Sequence, residues 1–477
     1  MPVELERKHL VNDLISSGII GNLSNPNPFI PLPIHNSPVK IPLSIDGIPE
    51  PGSLLPTPLR NRIFLSKTET ETASCERSKY ELSDIFQLYG EDYRNNHTLT
   101  PEQGKAMYAI EHCRTDVYGY HIDVCDECGH IERAYNSCRN RHCPKCQGIA
   151  KRKWVNTRLA ELLPVNYHHA TFTLPEPLSR FSMYNQKEIY DLLFEATSQT
   201  LLAFGDDPKW LGARIGFYGI LHTWSQTIWN HIHIHYIVTA GGVTEDGQWK
   251  EPKYKSTFLF PTGALAKVFR GKFIQGLKKL YKKGKLTIPY DKPELNDPDE
   301  FEQWLNRLCR KRWVVDSKQP FSGPEEVVRY IGRYTHRVAI SNSRILSIEN
   351  GMIKFSYKDN KEKDKTKIWK EMTLSANDFI ERFLWHVLPY RYHRIRHFGF
   401  LNNKVKKENI KNIREILQNK DIFDQLEDIL EQENEGMPCP KCEKGILRAF
   451  IVTDGSGRIL KFDLSVFLTK EEIYDTS

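Results

Sequence analysis

Nowhere in the 477 residues do 18 apolar residues run together, and the opening stretch Met1–Asn22 lacks a signal-peptide pattern. These absences argue against a helical membrane span. They set the expectation of a cytoplasmic protein with no membrane partner. No internal repeat is found, which sets aside repeat architectures. The charge excess is small: 67 Lys and Arg against 60 Asp and Glu leave +7, so a general affinity for polyanions is only weakly written into the composition. Isolated cysteines are scarce as well. Of ten, only Cys75 and Cys309 stand alone; six fall within Cys113–Cys146 and two form Cys439-Pro-Lys-Cys442. Clustered Cys-x-x-Cys pairs in an intracellular chain point to metal rather than to disulfides.

What is present is ordinary for two or three packed domains: 39% hydrophobic and 27% charged residues. Residues from Asn25 to Arg60 are proline-rich and read as an extended linker or strap. Thr100-Pro101-Glu102 marks a helix start that would deliver Cys113 to the cysteine cluster. A helix is expected from Ala150 towards Leu163, and another over Gln186–Phe204. Strands are expected over His168–Leu174, Ile215–Trp224 and His231–Thr239, and a helix from Pro324. The alternation implies an α/β or α+β domain over 151–345. The tail after Leu401 reads as helical. Lys278, Lys279, Lys282, Lys283 and Lys285, followed by Arg310-Lys311-Arg312-Trp313, suit a nucleic-acid backbone with stacked bases, although a solvated helix face accounts equally for the lysine run.

Cys125-x2-Cys128 and Cys143-x2-Cys146 are separated by 14 residues. Each pair aims two thiolates at one metal, and two pairs complete a tetrahedral zinc site. Cys113, His121, Cys138 and His142 supply four further candidates. Pairing Cys113/His121 with Cys138/His142, and Cys125/Cys128 with Cys143/Cys146, gives an interleaved two-zinc cross-brace, with His130 an alternative to His121. One or two structural zincs follow, because four protein ligands leave no open position for chemistry. Cys439-x2-Cys442 is half a site without a second pair nearby. Arg139 and Arg141 beside the cluster are candidate DNA contacts or a solvated rim.

The run from Trp229 to Val238 places His231, His233 and His235 on one strand face and Ile232, Ile234 and Val238 on the other. Alternating histidines on a rigid strand suit a divalent ion, and His222 and Gln226 on the preceding strand complete the candidate set. Tyr330 and Tyr334 lie one helical turn apart, with Gly332 between them at a cost of about 1 kcal/mol against alanine. A metal that polarises a phosphate makes a phenol a competent nucleophile. Lys318, Arg333 and Arg337 are candidate phosphate contacts.

Cys138-Arg-Asn-Arg-His-Cys-Pro-Lys-Cys-Gln147, His231-Ile-His-Ile-His235, Tyr330-Ile-Gly-Arg-Tyr-Thr-His-Arg-Val-Ala-Ile-Ser-Asn-Ser-Arg344 and His393-Arg-Ile-Arg-His-Phe-Gly399 together resemble the rolling-circle insertion-sequence transposases of the two-tyrosine HUH superfamily, IS91 type. The resemblance runs from about Leu99 to Asn403. It implies an α+β protein: a small zinc-binding module (86–150), then an HUH nuclease domain with an antiparallel sheet flanked by helices (151–345) and its C-terminal part (346–405); outside the resemblance lie the proline-rich extension (1–85) and the tail, read as helical, that bears the last Cys-x-x-Cys (406–477). It further implies His233-Ile234-His235 as the metal motif, with His231-Ile232-His233 fitting the same pattern, and Mg²⁺ or Mn²⁺ as cofactor. Tyr330 and Tyr334 become nucleophiles that form 5′-phosphotyrosine on single-stranded ends of the element and join them to target DNA, in the cytoplasm at the nucleoid. Two other readings use the same residues. One is a plasmid replication initiator or relaxase of the same chemistry; the other is a non-catalytic zinc-dependent DNA-binding protein, in which Tyr330→Phe and Tyr334→Phe change nothing beyond stability.

Overall fold

The computed structural model describes residues 79–147, 154–155, 157–158, 161–252, 259–318, 338–359, 361–362, 364, 366–417 and 437–463. The proline-rich segment lies outside these residues. So do Tyr330, Tyr334, Arg333 and Arg337.

In chain order the strands begin with β1 (Tyr120–Cys125), β2 (Ile131–Tyr135), β3 (Tyr167–Thr173), β4 (Arg214–Trp224), β5 (Asn230–Val243), β6 (Trp249–Lys250) and β7 (Val314–Lys318). They continue with β8 (Ile345–Glu349), β9 (Met352–Lys358), β10 (Trp369–Ser375), β11 (Ile395–Gly399), β12 (Met437–Pro438), β13 (Ile446–Thr453) and β14 (Ile459–Phe462). The chain divides into two compact units, the larger built from 78–111 and 139–430 and the smaller including 112–138 and 431–477.

The larger unit holds an antiparallel sheet in the order β11-β4-β5-β3-β7, with β6 on β5, and a three-stranded sheet β10-β9-β8. One face of the main sheet is apolar because alternate residues of each strand are: Phe172, Phe217, Leu221, Ile232, Ile234 and Tyr236 are all buried there. Helices Gln186–Asp206 and Thr262–Lys282 cover it, the second through Phe269, Phe273 and Leu277. Each such side chain removed from water contributes about 1.5–3 kcal/mol. Gly219 of β4 is required here, since a Cβ would stand 2.4 Å from the Tyr236 ring. Tyr236 is held in turn by its hydroxyl, 2.7 Å from Thr197 Oγ1.

The opposite face is split in two. At one end Tyr167, Tyr218, Ile220 and Ile237 bury against Leu162, Leu163, Ile410 and Ile413. At the other end the same parity carries histidines and threonines. The fold is therefore α+β, antiparallel sheets flanked by helices, as the sequence implies.

The strands expected over His168–Leu174, Ile215–Trp224 and His231–Thr239 and the helix over Gln186–Phe204 sit close to their observed bounds. The start of the helix expected from Pro324, and most of that from Ala150 towards Leu163, lie outside the described residues. Two differences are informative. The helix Pro101–Glu111 starts with Pro101 at its first position, and Thr100 and Gln103 cap each other reciprocally at 3.0 and 3.3 Å. Trp313, expected as a stacking surface among basic residues, is instead buried against Phe269 and Phe273, and its indole N–H donates to the Leu308 carbonyl at 3.0 Å. It faces inward because it leads into β7 beneath the helical layer, so it offers no surface for a base. Beyond the tail helix Lys406–Leu417, the described residues of the C-terminus are strands. Those strands complete the smaller unit, an antiparallel sheet in the order β12-β13-β1-β2 with β14 on β13. Among the described residues, no helix is long and apolar enough to cross a membrane.

Candidate metal-dependent active site

Three histidines converge on the polar half of the main sheet. β4 and β5 pair His222 with His233, and period-two alternation puts His235 on the same side. Ligand nitrogens of His222, His233 and His235 all lie within 4.8 Å of one another. His222 is buried, stacked on Trp224 at 4.9 Å between ring centroids, whereas His233 and His235 are half-buried. His231 shares their strand but is exposed and stands outside this group. Gln226 occupies the turn between β4 and β5, where its carbonyl accepts from the Arg344 guanidinium.

On two of these rings the described hydrogen bonds engage Nδ1. His233 Nδ1 lies 2.9 Å from the His231 carbonyl oxygen, which can only accept. Nδ1 therefore carries the proton, and Nε2 presents its lone pair. His235 Nδ1 lies 2.9 Å from His169 Nε2 and 3.2 Å from Thr171 Oγ1, so Nδ1 is the engaged nitrogen there too. Tying one imidazole nitrogen so that the other meets a metal is the usual arrangement around metal-binding histidines.

His169 escaped the sequence reading. It comes from the neighbouring strand, where β3 pairs Thr171 with His235 and Thr173 with His233, and it stacks on His235 with centroids 5.1 Å apart. The available signal was parity: Tyr167, His169, Thr171 and Thr173 alternate with His168, Ala170 and Phe172. On the far side of β3, the backbone of Lys318 pairs with His169 and that of Asp316 with Thr171.

Two further histidines are held neutral by burial. His386 is fully enclosed; its Nε2 donates to the Ile228 carbonyl at 3.0 Å and its Nδ1 contacts Thr223 Oγ1 at 3.1 Å. Burial pushes its imidazole down to about 4. Burial, together with the neighbouring Arg141, Arg394 and His386, also holds His142 well below the ordinary range. Arg141 spends its guanidinium internally, on the carbonyls of Tyr392 (2.6 Å), Pro389 (3.1 Å) and Leu388 (3.4 Å). Arg139 sits at a positive φ of 52° where the chain enters the Cys143 turn. In that turn Asn140 receives the Cys143 and His142 N–H groups and Gln147 Nε2.

The cysteines assemble differently from the expected cross-brace. Cys125 and Cys128 do not take Cys143 and Cys146 as partners; their sulfurs stand within 4.8 Å of those of Cys439 and Cys442. The reason is strand pairing, since β13 lies alongside β1 with Leu447 opposite Cys125 and brings the C-terminal pair to the same corner. His121 is engaged elsewhere, with Nδ1 2.9 Å from Asn136 Oδ1 and Nε2 3.5 Å from the Asp123 carboxylate. His130 faces Glu132 at 3.9 Å.

Comparison with known proteins settles the lineage. A family profile described as a putative transposase matches residues 216–409, and one described as a transposase zinc-binding domain matches residues 85–174. A putative transposase of Sinorhizobium fredii is 42% identical over 392 residues, covering 80% of this chain and 97% of its own. The chain belongs to the IS91-type transposase family. The transposase of insertion sequence IS801 from Pseudomonas savastanoi is 28% identical over 313 residues, covering 64% of this IS91-type chain and 72% of its own. Among solved structures, the conjugative relaxase TrwC bound to oriT DNA overlaps 35% of this chain and 69% of its own, at 19% identity and a TM-score of 0.20. The transposase profile opens on β4 and takes in His222, His233 and His235, and the zinc-binding profile takes in the six cysteines from Cys113 to Cys146.

Proposed function

We propose that this IS91-type protein nicks and rejoins single-stranded DNA at the ends of its own element through a 5′-phosphotyrosine intermediate. The observation that carries the reading is the cluster of His222, His233 and His235, in which the latter two rings are held through their Nδ1 atoms. The three imidazoles fit a divalent ion: their ligand nitrogens lie close enough to share one, and the rings of His233 and His235 are oriented through Nδ1. Once bound, the ion would polarise the scissile phosphate and neutralise its developing charge. Three neutral nitrogens favour Mn²⁺ over Mg²⁺, which prefers oxygen ligands.

Tyr330 and Tyr334 are the proposed nucleophiles. The phenolic oxygen of one forms a bond to phosphorus, the bond from phosphorus to the 3′ oxygen breaks, and that oxygen leaves as a 3′-OH after taking a proton. The phosphodiester energy is kept in the tyrosine ester, so a 3′-OH of target DNA can reverse the step without ATP. Lys318, Arg333 and Arg337 are assigned to the phosphates. For the zinc module, the proposed ligands include Cys113, Cys138, Cys143 and Cys146, all within the zinc-binding segment.

The test incubates the protein with labelled single-stranded element ends and Mn²⁺ or Mg²⁺. A labelled protein adduct is expected, and it should vanish in the Tyr330→Phe/Tyr334→Phe variant. No adduct with the native protein under any divalent metal, or an undiminished adduct in the variant, refutes the assignment.

A further inference from the structure

Among the described residues of the smaller unit, few apolar side chains are buried beside the cysteines: Val124, Leu447, Phe450 and Ile451. Around Cys125, its buried cluster consists of Cys125, Cys439 and Leu447, with Cys128 and Cys442 packed against them. Small sheets with so little core ordinarily depend on a metal or a covalent staple. Four cysteine sulfurs occupy the place where a core would be.

Their spacing identifies what they suit. Cys125 Sγ lies 3.7 Å from Cys442 Sγ, and Cys128 Sγ lies 3.6 Å from Cys439 Sγ. Four sulfurs arranged tetrahedrally at about 2.3 Å from zinc stand about 3.8 Å apart. A disulfide would bring two of them to about 2.05 Å, and all four are free thiols.

Both Cys-x-x-Cys turns are shaped to donate backbone N–H groups to sulfur. Cys128 N–H points at Cys125 Sγ (3.5 Å) and Gly445 N–H at Cys442 Sγ (3.3 Å). The second turn passes through Glu443 at a positive φ of 57°, and the first closes on Gly129 at 67°. Gly445 is bound to be glycine by the cluster itself, since a Cβ there would stand 2.5 Å from Cys125 Sγ. Beside the cluster, Asp126 ties the two segments a second time, accepting from Ile446 N–H at 2.7 Å and Arg448 Nε at 2.9 Å.

We infer that Cys125, Cys128, Cys439 and Cys442 bind a zinc ion that clasps the C-terminal hairpin to β1. Half of this site lies outside both family profiles, which end at residues 174 and 409. The zinc module is therefore completed from the other end of the chain, and the C-terminal strands are part of it. This inference does not depend on the DNA chemistry proposed above.

The decisive experiment measures zinc per purified full-length chain by elemental analysis. Cys439→Ser/Cys442→Ser should lose one equivalent, Cys125→Ser/Cys128→Ser should lose one, and the fourfold variant should lose the same single equivalent rather than two. Full zinc content in Cys439→Ser/Cys442→Ser, or additive loss in the fourfold variant, overturns the clasp. A second measurement needs no variant. In the native protein, alkylation of Cys439, Cys442, Cys125 and Cys128 followed by peptide mass spectrometry should show all four protected, then exposed together when a chelator is added. Labelling of Cys439 and Cys442 before the chelator, at the rate of an exposed thiol, rejects the site.

Discussion

Removing the His169 imidazole tests whether the histidine cluster is built to hold a metal. The buried His169 ring accepts the only proton that His235 Nδ1 carries when its Nε2 faces a ligand, across 2.9 Å. In His169→Ala, Thr171 Oγ1 at 3.2 Å takes over as acceptor, and His235 regains rotational freedom. Loss of such a supporting partner typically weakens metal binding about 10–100-fold, or roughly 1.4–2.7 kcal/mol. Mn²⁺ titrated into the purified protein by calorimetry or by electron paramagnetic resonance should show that loss for His169→Ala. His169→Gln, whose amide oxygen also accepts, should recover much of the affinity. An unchanged Kd in the alanine variant, with the fold intact by circular dichroism, would show that His235 needs no orienting partner. The tautomer argument would then fail.

Three further outcomes follow from the same geometry. Mn²⁺ should bind the native protein more tightly than Mg²⁺ in competition calorimetry; the reverse order would reject an all-nitrogen ligand set. His386 is held neutral by burial, down to about 4 against an ordinary value near 6.5, so the unfolded chain binds the extra proton as pH falls through that window. Stability should therefore be full above pH 6.5 and decline towards pH 4. His386→Gln should remove about 2 kcal/mol of the loss between pH 7 and pH 5, read from urea denaturation at the two pH values; an identical loss in both proteins would contradict the assignment. Gly219→Ala places a methyl 2.4 Å from the Tyr236 ring and should cost about 1–3 kcal/mol in urea denaturation; no change would mean that the ring moves aside freely.

The parts legible in the sequence were those with a local period. His231, His233 and His235 declare their common face within five residues because a strand alternates, and Pro101 marks its helix by lacking an N–H. Features that depend on which strand lies beside which were not legible. His169 gains its role only when β3 is placed against β5, and a doublet of histidines says nothing of that register. Cys439 and Cys442 looked like half a site because their partners are 311 and 317 positions away. Spacing drew Cys125 and Cys128 towards the nearer Cys143 and Cys146, and β1 pairing with β13 overrode it. Trp313 misled for a related reason, since the three basic residues before it signal a surface but do not fix which way the ring that follows them turns.

The middle position of β1 also has a consequence in time. The ribosome delivers β1 and β2 early, but the strand that pairs with the other edge of β1 is made last. At roughly 5–20 residues per second, the 311 positions from Cys128 to Cys439 take on the order of 15–60 s to synthesise. Through that interval the nascent chain carries an open sheet edge and a pair of unclaimed thiols. A premature stop anywhere before Cys439 would leave that edge open for good, a form suited to capture by proteases rather than to work on DNA.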